Sequence, residues 1–462
     1  MRKRAVWIGF FVVVVVLLGL RPPWGLSADA WMVAIVTVIM ATLWVSEAIP
    51  LAVTALLPLV LFPILGTADF RMVASPYADP VIFLFLGGFL LARAMEETGL
   101  HRAVALRVLA RTGTRPTALL GGFLGVSAFL SMWVSNTATT LMMLPIAGSV
   151  LRVYSDLHTD TRAFRSLQTA LLLAIAYGSN VGGMATLIGT APNAMLAGYL
   201  SQTFGVDVSF VSWMKIGVPV VVVGLPMVYL VLRRRYAIGD LGSGSLTMPQ
   251  TLDFRPSQLR AGIIFAGAAM LWVTRPLLMT HVPGLSDSGI ALAASTLLFF
   301  VPRGGDEDRP LLSWKEAEKL PWSVLLLFGG GLSLARMIDQ SGLAQWLGGQ
   351  LSVLAGFPIV VLTLVVVLLV VFLTEITSNT ATVATLLPIV GVIAGVAGIA
   401  PASLAIPVAL AGSAAFMLPV ATPPNAIVYA GGNFDIKEMA RVGIILNLIF
   451  LGVIVLVTHL LI

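Results

Sequence analysis

The stretch "MWVSNTATTLMMLP", residues 132–145, breaks a long apolar run with Ser135, Asn136 and Thr137. A near copy, "EITSNTATVATLLP", residues 375–388, does the same with Ser378, Asn379 and Thr380. The apolar stretches around them, 116–151 and 357–396, are each too long for one membrane helix of about 20 residues and too short for two such helices with a turn. A re-entrant hairpin fits both: two half-helices enter and return on the same side, with the polar triplet at the tip.

Composition supports a membrane setting. The 462 residues are 58% hydrophobic and 10% charged, with a mean hydropathy of +0.99. A soluble domain carries about 25% charged residues. The apolar runs are continuous rather than alternating, which predicts helices and not an outer-membrane barrel. The chain has no cysteine, so disulfides and thiolate metal sites are excluded. The fold class expected is an all-α polytopic membrane protein with about eleven spans: 5–20, 29–49, 51–65, 81–97, 168–200, 214–232, 258–278, 288–302, 321–339, 403–431 and 442–462. The opening run "MRKRAVWIGFFVVVVVLLGL" is read as a retained first span, because no small-residue cleavage site follows it.

Charge placement tests this topology. With Met1 in the cytoplasm and each hairpin returning to its own side, 22 of the 27 Lys and Arg residues fall on cytoplasmic segments. The exceptions are Arg21, Arg71, Lys215, Arg275 and Arg336. Membrane proteins carry such a bias toward the inside, and a single crossing at either hairpin would destroy it. The net charge of +6 is thus a topology signal rather than a nucleic-acid footprint. The expected location is the inner (plasma) membrane, with the N-terminus cytoplasmic and the C-terminus outside.

The two halves repeat. "FLGGFLLARAMEETGL" (85–100) and "FGGGLSLARMIDQSGL" (328–343) lie 243 residues apart, as do the two Ser-Asn-Thr-Ala-Thr motifs. "GTAPNA" (189–194) matches "ATPPNA" (421–426) after a slip of eleven. The expected organisation is an N-terminal span over 1–28, a first repeat over 29–235 with hairpin 116–151, a cytoplasmic linker over 236–257, and a second repeat over 258–462 with hairpin 357–396. Five crossings in the first unit put the second in the opposite orientation, an inverted repeat of the kind that places a site at the bilayer midplane. Hairpins entering from opposite faces also lead us to expect that cysteines at Thr137 and Thr380 react from opposite sides.

The polar residues suit ions. Hairpin tips leave carbonyls unpaired at one half-helix end and N–H groups unpaired at the next. Carbonyls with Ser, Thr and Asn oxygens make a nest for Na⁺, while free N–H groups and Thr hydroxyls suit a carboxylate or sulfate. Gly189, Thr190, Pro192 and Asn193, and later Thr422, Pro423, Pro424 and Asn425, break two further helices by removing donors and offering oxygens. Two tips and two breaks give two equivalent cation sites flanking one anion site. Gly87-Gly88 and Gly329 to Gly331 are read as close helix packing. Arg93 and Arg336 are symmetry partners placed to snorkel to the interface. Glu375 lies in apolar sequence with Met132 at its repeat position; it is read as structural, with a proton-coupling role left open.

Both Ser-Asn-Thr motifs, "SEAIPLAVTALLP" (46–58), "IGTAPN" and "ATPPN" resemble the divalent anion/sodium symporter family, which contains the sodium-coupled dicarboxylate and citrate carriers. The resemblance covers nearly the whole chain. It implies a homodimer with a scaffold domain and a mobile transport domain working as an elevator. By matching positions it implies one sodium site from Ser131, Ser135, Asn136 and Gly189, and another from Thr374, Ser378, Asn379 and Ala421. It implies an anion between Asn136, Thr137, Asn379, Thr380, Thr422 and Pro423, with Thr190 contributing from the first break, where Ala191 departs from the Pro423 pattern.

The expected function is sodium-coupled uptake of a C4-dicarboxylate such as succinate, malate or fumarate, with Na⁺ at two or more sites and no organic cofactor. The expected partners are the dicarboxylate, the bilayer and a second copy of the chain, with no nucleic acid. A sodium-independent exchanger on the same fold, or citrate or sulfate as the anion, stays open. An enzyme is not expected, because no acid, base or metal-ligand set clusters at membrane depth.

Overall fold

The structure, a computed structural model, describes residues 21–23, 25–113, 115–157, 161–238, 253–304, 307–432 and 434–462. The expected first span at 5–20 and most of the 236–257 linker lie outside the described residues. The principal helices are α1 (Ala28–Ser46), α2 (Pro80–Thr98), α3 (Leu100–Thr112), α4 (Pro116–Ser131), α5 (Asn136–Leu157), α6 (Thr161–Gly183), α7 (Ala191–Phe204), α8 (Phe210–Arg235) and α9 (Pro256–Leu278). They continue with α10 (Asp287–Leu297), α11 (Trp322–Gln340), α12 (Leu343–Gln350), α13 (Ile359–Leu373), α14 (Asn379–Val396), α15 (Pro401–Ala411), α16 (Pro423–Gly431) and α17 (Ile436–Leu461). The chain is an all-α polytopic membrane protein. Seven helical stretches among the described residues are long and apolar enough to cross a bilayer.

Their outer faces fit that solvent. On α9 only Gln258, Ala261, Ala268 and Trp272 are buried, while Ile263, Met270 and Leu277 are more than 60% exposed. Polar water would penalise such a surface; lipid tails do not. At about 1.5 Å per residue, the 26 residues of α8 and of α17 reach about 39 Å, enough to cross with some tilt.

The structure departs from the expected spans in three places. Residues 51–65 form two short helices, Leu51–Thr54 and Leu57–Ile64, because Pro50, Pro58 and Pro63 remove donors along the run. After α10 come two short strands, β1 (Pro302–Gly304) paired antiparallel to β2 (Glu307–Pro310), so the span expected to end at 302 ends earlier, in α10. The second arm of the first hairpin continues past 151 to Leu157.

The duplication appears in the backbone. The α2–α3 corner turns at Gly99 with φ +70°, and 243 residues later the α11–α12 corner turns at Gly342 with φ +83°. This left-handed conformation strains any side chain with a Cβ. Close approach explains other glycines: a Cβ on Gly330 would stand 2.4 Å from Ala55 O, and one on Gly87 would stand 2.6 Å from Ala291 C. The expected packing role of those glycines matches these contacts.

Candidate functional site

Four interrupted helices meet at one place. The first tip joins α4 to α5. Ser131, the last residue of α4, donates its hydroxyl to Asn136 Oδ1 at 2.5 Å. Ser135 Oγ accepts the Ala138 N–H at 3.2 Å, capping α5. The second tip joins α13 to α14. Thr374 donates its hydroxyl to Asn379 Oδ1 at 2.5 Å and lies 3.1 Å from the Gly412 carbonyl. Ser131 and Thr374, and Asn136 and Asn379, keep the 243-residue offset, so the repeat extends to side-chain hydrogen bonds.

The breaks repeat in the same way. Between α6 and α7, Asn193 Nδ2 donates to Gly183 O at 3.0 Å and Thr186 O at 2.8 Å. Between α15 and α16, Asn425 Nδ2 donates to Ala415 O at 3.2 Å and Leu418 O at 3.0 Å. Each pair of positions differs by 232 residues, the offset of the two Pro-Asn motifs. These amides hold the carbonyls that the missing helical turns leave free. A bare carbonyl at membrane depth costs several kcal/mol. Further donors serve the same need: Trp213 Nε1 to Met184 O at 2.9 Å, and the Tyr177 hydroxyl to Phe416 O at 2.9 Å.

The first tip and first break touch. A Cβ placed on Gly183 would lie 2.8 Å from Asn136 Oδ1 and 3.2 Å from Gly189 O. Those two oxygens therefore converge on the same small space, which only glycine leaves open.

A cavity of about 860 Å³ lies against all four elements. Its lining includes Ser135, Asn136 and Thr137 from the first tip and Ser378, Asn379 and Thr380 from the second. Gly189 and Thr190 line it from the first break; Ala421, Thr422 and Pro423 line it from the second. Ser131 and Thr374 do not line it; they are fully buried behind the two asparagines. Every residue expected to bind the anion thus faces one cavity, and the residues expected to bind sodium either face it or brace one that does. Thr137 and Thr380, expected to react from opposite sides, line this same cavity.

Sequence reasoning missed several lining residues. Asn180 on α6 lines the cavity and donates from Nδ2 to Thr422 Oγ1, Asn425 Oδ1 and Ala415 O. Its motif, "YGSNVGG" (177–183), places a Ser-Asn pair inside an apolar run just before "IGTAPN" and was the available signal. Glu47, Arg93, Glu96 and Lys319 also line the cavity. Arg93 pairs with Glu96 at 2.9 Å and with Glu97, rather than reaching freely to an interface. Arg336 donates to Ser75 Oγ at 2.7 Å.

Glu375 has a structural place. Its carboxylate accepts the backbone N–H groups of Phe416, Met417 and Leu418 at 2.8 to 3.1 Å, and Asn447 Nδ2 at 2.7 Å. It satisfies the donors of the second break. In the first repeat the tie runs the other way: Thr186, at the position of Leu418, donates its hydroxyl to Met132 O at 2.5 Å.

Duplicated broken helices that bring hydroxyl and amide side chains to one cavity, within a lipid-exposed helical shell, are the architecture of a membrane transporter. The family described as "Sodium:sulfate symporter transmembrane region" matches residues 3–461, and the chain belongs to that family, whose members are transporters and not enzymes. The chain is 41% identical over 454 residues to the sodium-dependent dicarboxylate transporter SdcS of Staphylococcus saprophyticus, covering 95% of this chain and 88% of that protein. It is 40% identical over 438 residues to the protein of the same name from Staphylococcus aureus strain USA300, covering 92% and 84%. Its fold is similar to that of the Alcanivorax borkumensis YdaH transporter, with a TM-score of 0.60 at 15% identity over 94% of this chain and 98% of that one.

Proposed function

We propose that this protein is a secondary transporter that couples Na⁺ to the inward movement of a C4-dicarboxylate such as succinate, malate or fumarate. The observation that carries the reading is the shared cavity: two Asn tips, each braced by a hydroxyl at 2.5 Å, face it together with two Thr-bearing helix breaks. The name of the staphylococcal relatives, sodium-dependent dicarboxylate transporter, supports a dicarboxylate as substrate and Na⁺ as the coupling ion.

In this reading one Na⁺ is held by Ser131, Ser135, Asn136 and Gly189, and a second by Thr374, Ser378, Asn379 and Ala421. These are neutral hydroxyl, amide and carbonyl oxygens, a donor set suited to a hard cation. The dicarboxylate takes its hydrogen bonds from Asn136, Thr137, Asn379, Thr380, Thr190 and Thr422, and packs on Pro423. No Lys or Arg stands in a tip or break, so helix N-termini and bound Na⁺ balance the anion's charge. Coupling follows, because each ligand raises the affinity of the site for the other.

The proposed organisation is two inverted repeats, 29–235 and 258–462, in a homodimer whose transport domain moves as an elevator. The N-terminus lies in the cytoplasm of the plasma membrane and the C-terminus outside. The test is uptake of labelled succinate by empty proteoliposomes with external Na⁺ or choline. Net uptake only in Na⁺ supports symport. Equal uptake in choline, or uptake only into vesicles preloaded with dicarboxylate, supports the exchanger.

A further inference from the structure

Thr422 stands where both repeats meet the cavity, and its hydroxyl is held differently from that of its counterpart Thr190. Thr422 Oγ1 accepts the Asn425 backbone N–H at 3.3 Å and Asn180 Nδ2 at 3.1 Å. Thr190 makes no side-chain cap. Position 180 accounts for the second of the Thr422 bonds. Its repeat counterpart, 232 residues on, is Gly412, which has no side chain to offer.

The direction of the Asn180 amide follows from its neighbours. Asn425 Nδ2 is committed to two backbone carbonyls, Ala415 O and Leu418 O, so its Oδ1 faces Asn180 at 3.2 Å. Asn180 also faces Ala415 O at 3.3 Å. A carbonyl oxygen only accepts, so the atom that Asn180 turns toward both must be its nitrogen. Its two N–H groups are shared among three acceptors, of which Thr422 Oγ1 is the nearest at 3.1 Å. Asn180 is 1% exposed, and its Oδ1 has no hydrogen-bond partner among the described residues.

A hydroxyl has two acceptor lone pairs and one proton. With two donors on its lone pairs, Thr422 has only its proton left to offer. We propose that Asn180 is a positioning residue that presents the Thr422 O–H as a fixed donor to a carboxylate of the transported anion. Asn180 acts through Thr422 and across the repeat boundary, so the second break binds the anion as an oriented donor while the first does not. This rests on the dicarboxylate reading above.

The experiment is a double-mutant cycle on the full-length protein in proteoliposomes. Succinate KM and maximal rate are read for wild type, Asn180→Ala, Thr422→Val and the pair, beside Na⁺-induced thermal stabilisation without succinate. Asn180→Ala should raise KM about tenfold, a loss on the scale of one hydrogen bond to a charged group. Maximal rate and Na⁺ stabilisation should stay near wild type, and the pair should lose no more than Thr422→Val alone. If Asn180→Ala does not fold, Asn180→Ser is read on the same cycle. Losses that multiply in the pair, an Asn180 variant with native KM, or loss of Na⁺ stabilisation along with succinate affinity would each overturn the proposal. Absence of Na⁺-dependent succinate uptake by wild type is a different result and removes the functional reading itself.

Discussion

Thr374 donates its hydroxyl to Asn379 Oδ1 at 2.5 Å, locking the amide of the second tip with its nitrogen turned away from the threonine. The hydroxyl also reaches the Gly412 carbonyl, so tip and break are tied through one side chain. Thr374→Ala should keep the fold and weaken the Na⁺ site it braces. Losing one neutral hydrogen bond costs about 1 kcal/mol, or about fivefold in the Na⁺ concentration that half-stabilises the protein. Thr374→Ser, which keeps the hydroxyl, should stay near wild type. The check is thermal stability against Na⁺ concentration without succinate; equal behaviour of the Ala and Ser variants contradicts the bracing role.

The first site depends on an absent side chain. A Cβ on Gly189 would stand 2.5 Å from Gly183 O, and one on Gly183 would stand 2.8 Å from Asn136 Oδ1. These are backbone and tip atoms that cannot retreat cheaply. Gly183→Ala and Gly189→Ala should therefore lose Na⁺-dependent stabilisation and succinate uptake. Gly125→Ala, at a position where a Cβ meets nothing within 4 Å, should transport normally. Normal Na⁺ dependence in Gly189→Ala would place the sodium elsewhere.

Glu375 is predicted to matter for stability and not for coupling. Its two oxygens accept three backbone N–H groups and the Asn447 amide. Gln keeps one acceptor oxygen and turns an NH₂ toward donors. Glu375→Gln should cost about 3 kcal/mol or more, read as a lower midpoint of thermal unfolding in detergent. The folded fraction should keep the native Na⁺ dependence and the native pH profile of uptake. A shifted pH profile at native stability would make Glu375 a proton-coupling group instead.

The chain has no cysteine, so single cysteines report cleanly. Thr137 and Thr380 line the same cavity. Thr137→Cys and Thr380→Cys should label from the same side of the membrane in any one state, and succinate with Na⁺ should slow both. Labelling of the two from opposite sides at the same time would contradict a shared cavity.

Much of this arrangement was legible in the sequence because it is written twice. The tips were visible as identical Ser-Asn-Thr motifs in apolar runs, and the breaks as Pro-Asn motifs, and the structure gathers all four around one cavity. Asn180 was harder to see because its counterpart is Gly412, so duplication gave it no emphasis. Sequence also could not show that the two tips bring Thr137 and Thr380 to one cavity; that depends on how the repeats pack. Reading the chain as spans alone hid α3, α12 and the β1–β2 pair, because short helices and strands between spans carry no long apolar signal.

In the proposed site each tip asparagine serves cation and anion at once, its oxygen toward Na⁺ and its amide N–H toward a carboxylate. Asp keeps the oxygen, loses the donor and adds a negative charge beside the anion. The most direct measurement is succinate uptake by Asn136→Asp and Asn379→Asp, each compared with its own Na⁺-induced thermal stabilisation. Both variants should fold, retain part of the Na⁺ stabilisation, and lose dicarboxylate uptake, with anion binding weakened by about 2 kcal/mol or more. Transport of succinate by both variants with near-native affinity and sodium dependence would contradict this, and would reduce the two Ser-Asn-Thr motifs to turn-forming sequence.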